Sequence, residues 1–324
     1  MNHSNTDVRS ENILSVLEAL AREQYMTREA LAQRCRLSLT TVGKIIDRLH
    51  DYGILSQKHI RSVQSGRAIA AFSFSDSTVN VIFRISEQEM AMELTDLRLR
   101  RLQHIVQDVT PDRDPGENLM SFLLLCRKNL EMTHKSILLC GLIAESNALG
   151  CDMIVRAIET HLNLSVAVRD RTVDAIARAA SYEGLTADGR CVAVLSNDAS
   201  CGGIILCGET MIRSGNSSLE RQSDDLTRSA DELLQTMQML TTFFTPDVLL
   251  ICSTRDTTRL KEDMETAIKA SSLPYHPTVE IRDTNQFIAL GVTISMRTEW
   301  LKRMHRDNQQ LRSRIFPSYS SFDL

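Results

Sequence analysis

At Gly53 the hydrophobic period of this chain changes from that of a helix to that of a strand, and no other feature narrows its fold as much. Residues 39–53 read LTTVGKIIDRLHDYG, with Val42, Ile45, Ile46 and Leu49 forming one apolar stripe at helical spacing. Gly53 then ends the helix, because glycine adopts left-handed geometry without steric cost. Past it, ILSQKHI (54–60) reads as a strand, SVQSG (62–66) as a turn and RAIAAFSFS (67–75) as a returning strand. A helix that feeds directly into a β-hairpin predicts a wing.

The preceding segment completes the unit. ENILSVLEALARE (11–23) places Ile13, Val16, Leu17 and Leu20 on one helical face. Thr27 is an N-cap candidate for REALAQRC (28–35), whose buried side is Ala30 and Leu31. After a break at Arg36-Leu37, Ser38 is the N-cap candidate of the next helix. Two short helices joined by a tight turn describe a helix-turn-helix. Its second helix is expected to enter the major groove of duplex DNA, where hydroxyls and a lysine reach base edges and phosphates. The expected contacts are Thr27, Ser38, Thr40, Thr41, Lys44 and Arg48, with Arg61 and Arg67 flanking the wing tip.

Charge supports that orientation weakly. The chain carries a net −4, yet residues 1–75 hold ten Lys/Arg against seven Asp/Glu. A mildly basic module on an acidic body turns that module toward phosphate. Length, at 324 residues, implies more than one domain. The longest apolar run, near Ile137–Ala144, falls short of the roughly 18 residues of a membrane span, and MNHSNTDVRSEN is too polar for a secretion signal. A cytoplasmic location is the expectation. The eight cysteines (35, 126, 140, 151, 191, 201, 207 and 252) include no C-x-x-C pair and sit mostly beside aliphatic residues. They read as small buried hydrophobes in a reducing compartment, and no metal or other cofactor is expected.

From Ser77 onward the chain reads as α/β. Strands are expected at VNVIFRI (79–85), QEMAMEL (88–94), SILLCGLIA (136–144), SVAVRD (165–170), CVAVLSN (191–197), GGIILCG (202–208), PDVLLICST (246–254) and TVEIRD (278–283). Helices are expected at 119–133, 153–162, 172–182, 226–244, 258–271 and 287–304. Alternation of this kind implies sheets covered by helices.

Several segments in this order resemble the ROK family (repressors, open reading frames, kinases), which joins a winged helix to a sugar-kinase-like body. The wing segment SVQSGRAIAAFSF is similar to that family's wing, and LTDL (94–97) to the V-D-L closing the body's first hairpin. SVAVRDRTVDAIARAA (165–180) resembles P-V-x-V-x-N-D-x-N-x-A, GGIILCG resembles G-x-G-I-I-x-x-G, and TPDVLLICS (245–253) resembles the strand before the adenosine loop. The resemblance implies an actin-like ATPase (ribonuclease H-like) body over 76–324, behind a winged helix over 1–75. Its lobes would be roughly 76–165 with the C-terminal helix, and 166–290.

The departures from that pattern bear on chemistry. The phosphate-binding D-x-G-G-T falls at 84–88, where this chain has Arg-Ile-Ser-Glu-Gln. The glycines that bring amides to a phosphate are missing, and Glu87 would repel it. The catalytic aspartate falls at Arg171, or at Asp170 if the alignment shifts by one residue; an arginine cannot act as base. The second phosphate loop reads SNDASCGG (196–203), the adenosine loop reads Cys252-Ser253-Thr254, and the zinc motif C-x-C-G-x-x-G-C has no counterpart. Glu145, Asn147, Asp170 and Asp174 are the polar candidates left for a ligand cleft. The expectation is a non-enzymatic transcriptional regulator, a repressor by resemblance, that binds a double-stranded operator as a homodimer or higher homo-oligomer and takes an unidentified small-molecule effector. An active sugar or amino-sugar kinase and a protein-binding winged-helix adaptor are the alternatives. The basic stretch 302–314 is a solvated helix end or a further support on DNA.

Overall fold

The structure is a computed structural model and describes residues 5–61, 68–145, 149–196, 204–207, 210–213, 244–253, 257–271 and 276–306. Arg67, Asn147, the expected helix at 226–244 up to residue 243, most of the second phosphate loop and the tail beyond residue 306 lie outside the described residues. Contacts divide the chain into one unit of Met1–Arg169 with Met296–Leu324, and another of Asp170–Ser295.

The first unit begins with helix α1 (Asn5–Arg22), followed by the short strand β1 (Met26–Thr27), α2 (Arg28–Cys35) and α3 (Leu39–Asp51). Strands β2 (Leu55–Arg61) and β3 (Ala68–Phe74) then pair antiparallel, with Leu55 opposite Phe74 and Arg61 opposite Ala68. β1 joins β3 on its other side, so the sheet order is β1-β3-β2. Val16, Leu20, Leu31, Val42, Ile46, Leu49 and Phe72 are fully or nearly fully buried and form the core of this module. The stripe read from the sequence is therefore the face that α3 turns inward.

Five strands follow in the same unit: β4 (Thr78–Ile85), β5 (Glu89–Asp96), β6 (Arg101–Asp108), β7 (Ser136–Ala144) and β8 (Val166–Asp170). Their order is β6-β5-β4-β7-β8. β4 pairs antiparallel with β5 and parallel with β7. Helices α4 (Pro115–Thr133) and α5 (Cys151–Leu162) contribute Phe122, Leu123, Ile154 and Ile158 to a core shared with Val81, Phe83 and Met92 of the sheet. Phe83 and Phe122 meet edge to face, with ring centroids 6.4 Å apart.

The second unit holds α6 (Thr172–Tyr182) and a sheet ordered β11-β10-β9-β12-β13. Its strands are β9 (Cys191–Ser196), β10 (Ile204–Cys207), β11 (Thr210–Arg213), β12 (Val248–Ser253) and β13 (Thr278–Asp283). Parallel pairing of β12 with both β9 and β13 needs crossovers, and α7 (Thr257–Ala270) provides the one to β13. Met264 and Ile268 of α7 pack on Leu249, Ile251 and Val279. The last helix among the described residues is α8 (Thr284–Arg306).

Strands β1, β6 and β11 did not stand out in the sequence. β1 is two residues long, and β6 and β11 are edge strands of their sheets. An edge strand buries less of its surface, and RLQHIVQD mixes polar with apolar residues on both faces. Helix α4 also starts four residues earlier than its apolar period, at Pro115, because the Asp114 side chain accepts from the Gly116 and Glu117 amides.

Candidate nucleic-acid interface

Both expected caps on the helix-turn-helix are formed. The Ala30 N–H donates to Thr27 Oγ1 at 3.2 Å, and the Thr41 N–H donates to Ser38 Oγ at 3.1 Å. Each side chain satisfies an amide that the first helical turn leaves open, a contribution of about 1 kcal/mol. The turn between α2 and α3 passes through Arg36, which takes the left-handed conformation (φ 55°). Its N–H and that of Leu37 return to the Gln33 and Ala32 carbonyls, closing the end of α2.

A second set of contacts sets the angle of α3. Arg28, at the start of α2, pairs with Asp47 of α3 at 2.5 Å and lies over the Phe72 ring of β3 at 5.4 Å. One guanidinium thus touches three elements, and the charge of Asp47 is offset on the face that α3 presents outward. The sequence shows Arg28 only as one basic residue among several. No local spacing signals a contact across nineteen positions.

The expected contact residues are not equally presented. Ser38, Thr40, Lys44 and Arg61 are exposed. Thr27 is half-buried and its hydroxyl is occupied as a cap. Thr41 is half-buried and shares a 2.8 Å hydrogen bond with the Ser38 hydroxyl. Arg48 is half-buried, with its guanidinium over the Tyr52 ring at 5.9 Å. Two residues that the sequence reading passed over also face outward near the start of α3. Leu39 is 52% exposed, and at Gly43 a Cβ would meet nothing within 4 Å. Leu39 looks like part of the buried stripe because it lies three residues before Val42 and seven before Ile46. A helical side chain leans toward the preceding turn, however, and at the first position of α3 no such turn exists to cover it.

The described candidates of the body lie on both of its units. Glu145 follows β7 in the first unit, where its N–H donates to the Ile85 carbonyl at 2.8 Å. Asp170 and Asp174 belong to the second unit. Asp170 ends β8 with its side chain 6% exposed, 3.0 Å from the Arg178 guanidinium. Burial raises its pKa, while Ser295 and Arg178 act to lower it. Arg171 sits at the start of α6 and is exposed.

Residues 84–88 span the end of β4 and the turn into β5. There the Ser86 hydroxyl accepts from the Glu89 amide at 3.1 Å and the Gln88 amide at 3.4 Å, and the Ser86 N–H donates to the Glu89 carbonyl at 3.0 Å. Arg84 is ion-paired with Glu89 beside it. The Ser86, Gln88 and Glu89 amides are thus satisfied within the turn. Among the described residues, no three His, Cys, Asp or Glu side chains are grouped to hold a metal ion, and no helix is long and apolar enough to cross a membrane.

Residues 9–56 match the winged helix-turn-helix DNA-binding family. No curated protein matches the sequence. Among solved structures, the chain is similar to a ROK family transcriptional regulator, a homologue of the E. coli Mlc protein, with TM-score 0.59 and 12% identity over 91% of this chain and 98% of that one. It is also similar to an inorganic polyphosphate/ATP-glucomannokinase from Arthrobacter sp. strain KM, with TM-score 0.50 and 10% identity over 68% of this chain and 99% of that one. The chain therefore has a winged helix-turn-helix followed by a body of the ROK, sugar-kinase-like fold.

Proposed function

We propose that this protein is a DNA-binding transcriptional regulator of the ROK family, acting as a repressor through a non-catalytic kinase-like body. Residues 1–75 form the DNA-binding domain and 76–324 the two-lobed body. The observation that carries this reading is the start of α3. A capped N-terminus, the exposed Thr40 and Lys44, and an acidic neighbour already paired by Arg28 make a surface fit for the major groove. Thr27, Ser38, Thr41 and Arg48 hold that helix and border the same surface, and Arg61 with Arg67 supplies phosphate contacts from the wing.

Two features favour a body without kinase chemistry. The segment 84–88 carries Glu87, and the Gln88 and Glu89 amides beside it point at the Ser86 hydroxyl instead of toward a phosphate. The exposed Arg171 cannot serve as a base, and Asp170 is held by Arg178. The body is then left to self-association and to a small-molecule effector near Glu145, Asn147, Asp170 and Asp174. Self-association doubles the base contacts by pairing half-sites, as a single winged helix requires for tight specific binding.

A gel-shift series with the full chain and a duplex selected from random sequence tests the reading. Lys44→Ala is expected to weaken specific binding at least tenfold, with a smaller loss on bulk DNA. Failure to enrich any duplex, or equal loss on both DNAs, would overturn the role of α3. An operator-fused promoter transcribed in vitro tests the sign: falling output as the protein is added is repression.

A further inference from the structure

The outward face of α3 is not wholly polar. It carries an exposed leucine and a bare glycine where hydrogen-bonding side chains would serve direct readout. Leu39 and Gly43 are four residues apart, hence neighbours on one face one turn apart. Leu39 is 52% exposed at the first position of the helix, outside the buried core of this module. Gly43 is unexplained by the fold. No positive φ requires a glycine there, and a Cβ would have open space around it. Mid-helix glycine is nonetheless unfavourable relative to alanine, because it loses more backbone freedom on folding and buries nothing. A side chain at 43 would lean back toward Leu39; with none there, the helix backbone behind the exposed leucine is left open as a shallow apolar slot. It is flanked by Thr40 and Lys44, with the Asp47 charge one turn further along offset by Arg28.

The major groove presents one apolar group at its base edges, the 5-methyl of thymine. Resting on the proposed role of α3 in DNA binding, we propose that Leu39 and Gly43 form a thymine-methyl slot that fixes one A·T pair in each half-site. Leu39 covers one side of the methyl group, and the absent side chain at Gly43 lets the other side approach the helix backbone. The two residues thus specify a base pair by apolar contact, beside the polar contacts of Thr40 and Lys44.

The test uses the full chain and its selected duplex, with each thymine replaced in turn by uracil, which removes only the methyl group. At one position per half-site the wild-type protein is expected to lose roughly three- to tenfold in affinity, the scale of one apolar contact. Leu39→Ala should bind the thymine and uracil duplexes equally. Gly43→Ala puts a methyl group in the slot: it should bind the thymine duplex at least tenfold worse than wild type and the uracil duplex about as well, while its own Tm rises. The rise in Tm shows that a loss of binding is not a loss of fold. A wild-type protein indifferent to uracil at every position, or a thymine effect undiminished in both variants, overturns the slot while specific DNA binding stands. A selection that enriches no duplex removes both the slot and the DNA-binding reading. The same methyl group is carried by 5-methylcytosine, so the selection is repeated on a pool containing it in place of cytosine. Unchanged enrichment assigns the slot to thymine, and enrichment of the modified base overturns that assignment.

Discussion

Asp170 is a carboxylate buried beside an arginine, and its titration follows from that setting. It ends β8, one residue before the position at which the resemblance places a catalytic aspartate, and its side chain is buried against Arg178. Burial is the larger influence and raises its pKa above the ordinary 3.8, against the opposing pull of Ser295 and Arg178. The folded state therefore holds the proton more tightly than the unfolded chain does. The stability tied to this group is fully present below the unfolded value and is lost as pH rises through the folded one. At neutral pH the charge is a net cost, so Asp170→Asn is expected to raise Tm at pH 7, with the gain vanishing as pH falls below 4. A lower Tm at pH 7 would mean that the Arg178 pair outweighs the cost of burial. Three thiols follow the same rule at the other end of the scale. Burial pushes Cys191 up to about 12 and raises Cys126 and Cys140 further.

At the scale of elements, two helical glycines make opposite demands. At Gly43 an added Cβ has open space, whereas at Gly291 of α8 it would lie 1.9 Å from the Ala175 carbonyl oxygen of α6. Backbone cannot yield as a flexible side chain does, so α6 and α8 can cross this closely only with glycine there. Gly291→Ala is expected to destabilise the second unit by about 2–3 kcal/mol, read as a lower urea midpoint. An unchanged midpoint would mean that the helices can part at no cost.

The sequence alone revealed elements wherever a local rule had one outcome. Thr27 and Ser38 announced their helices through side-chain chemistry, and β7, β13 and α6 were bounded correctly by their apolar periods. Strands β6 and β11 were not legible, because RLQHIVQD mixes polar and apolar residues on both faces and TMIR is only four residues long. The candidate interface was legible in part. Polar residues beside a cap are visible in a sequence. The three-element contact of Arg28 and the exposure of Leu39 exist only once the helices are packed.

At the scale of the whole molecule, the chain has the sugar-kinase-like fold, while the Gln88 and Glu89 amides of the β4–β5 turn are taken up by Ser86. Purified protein is accordingly expected to show no ATP hydrolysis above a no-protein control with glucose, mannose or N-acetylmannosamine present. Turnover abolished by Asp170→Asn would contradict the non-catalytic reading.

The winged helix is not tethered to the first lobe by a loose linker. Phe74 and Thr78 are separated by three residues, and the Ser75 N–H returns to the Ile54 carbonyl. Thr78 Oγ1 donates to the Gly53 carbonyl, the Arg98 guanidinium to the Gln24 carbonyl, and Lys135 Nζ to the Asp76 carbonyl. A reading head clamped in this way cannot swivel to suit its target. In a two-fold assembly, the distance between recognition helices would be dictated by the bodies, like the jaws of a fixed-gauge caliper. One base pair inserted between half-sites moves them apart by about 3.4 Å and rotates one against the other by about 34°. Such an operator should be bound at least tenfold more weakly, and insertion of a full helical turn should restore little of the loss.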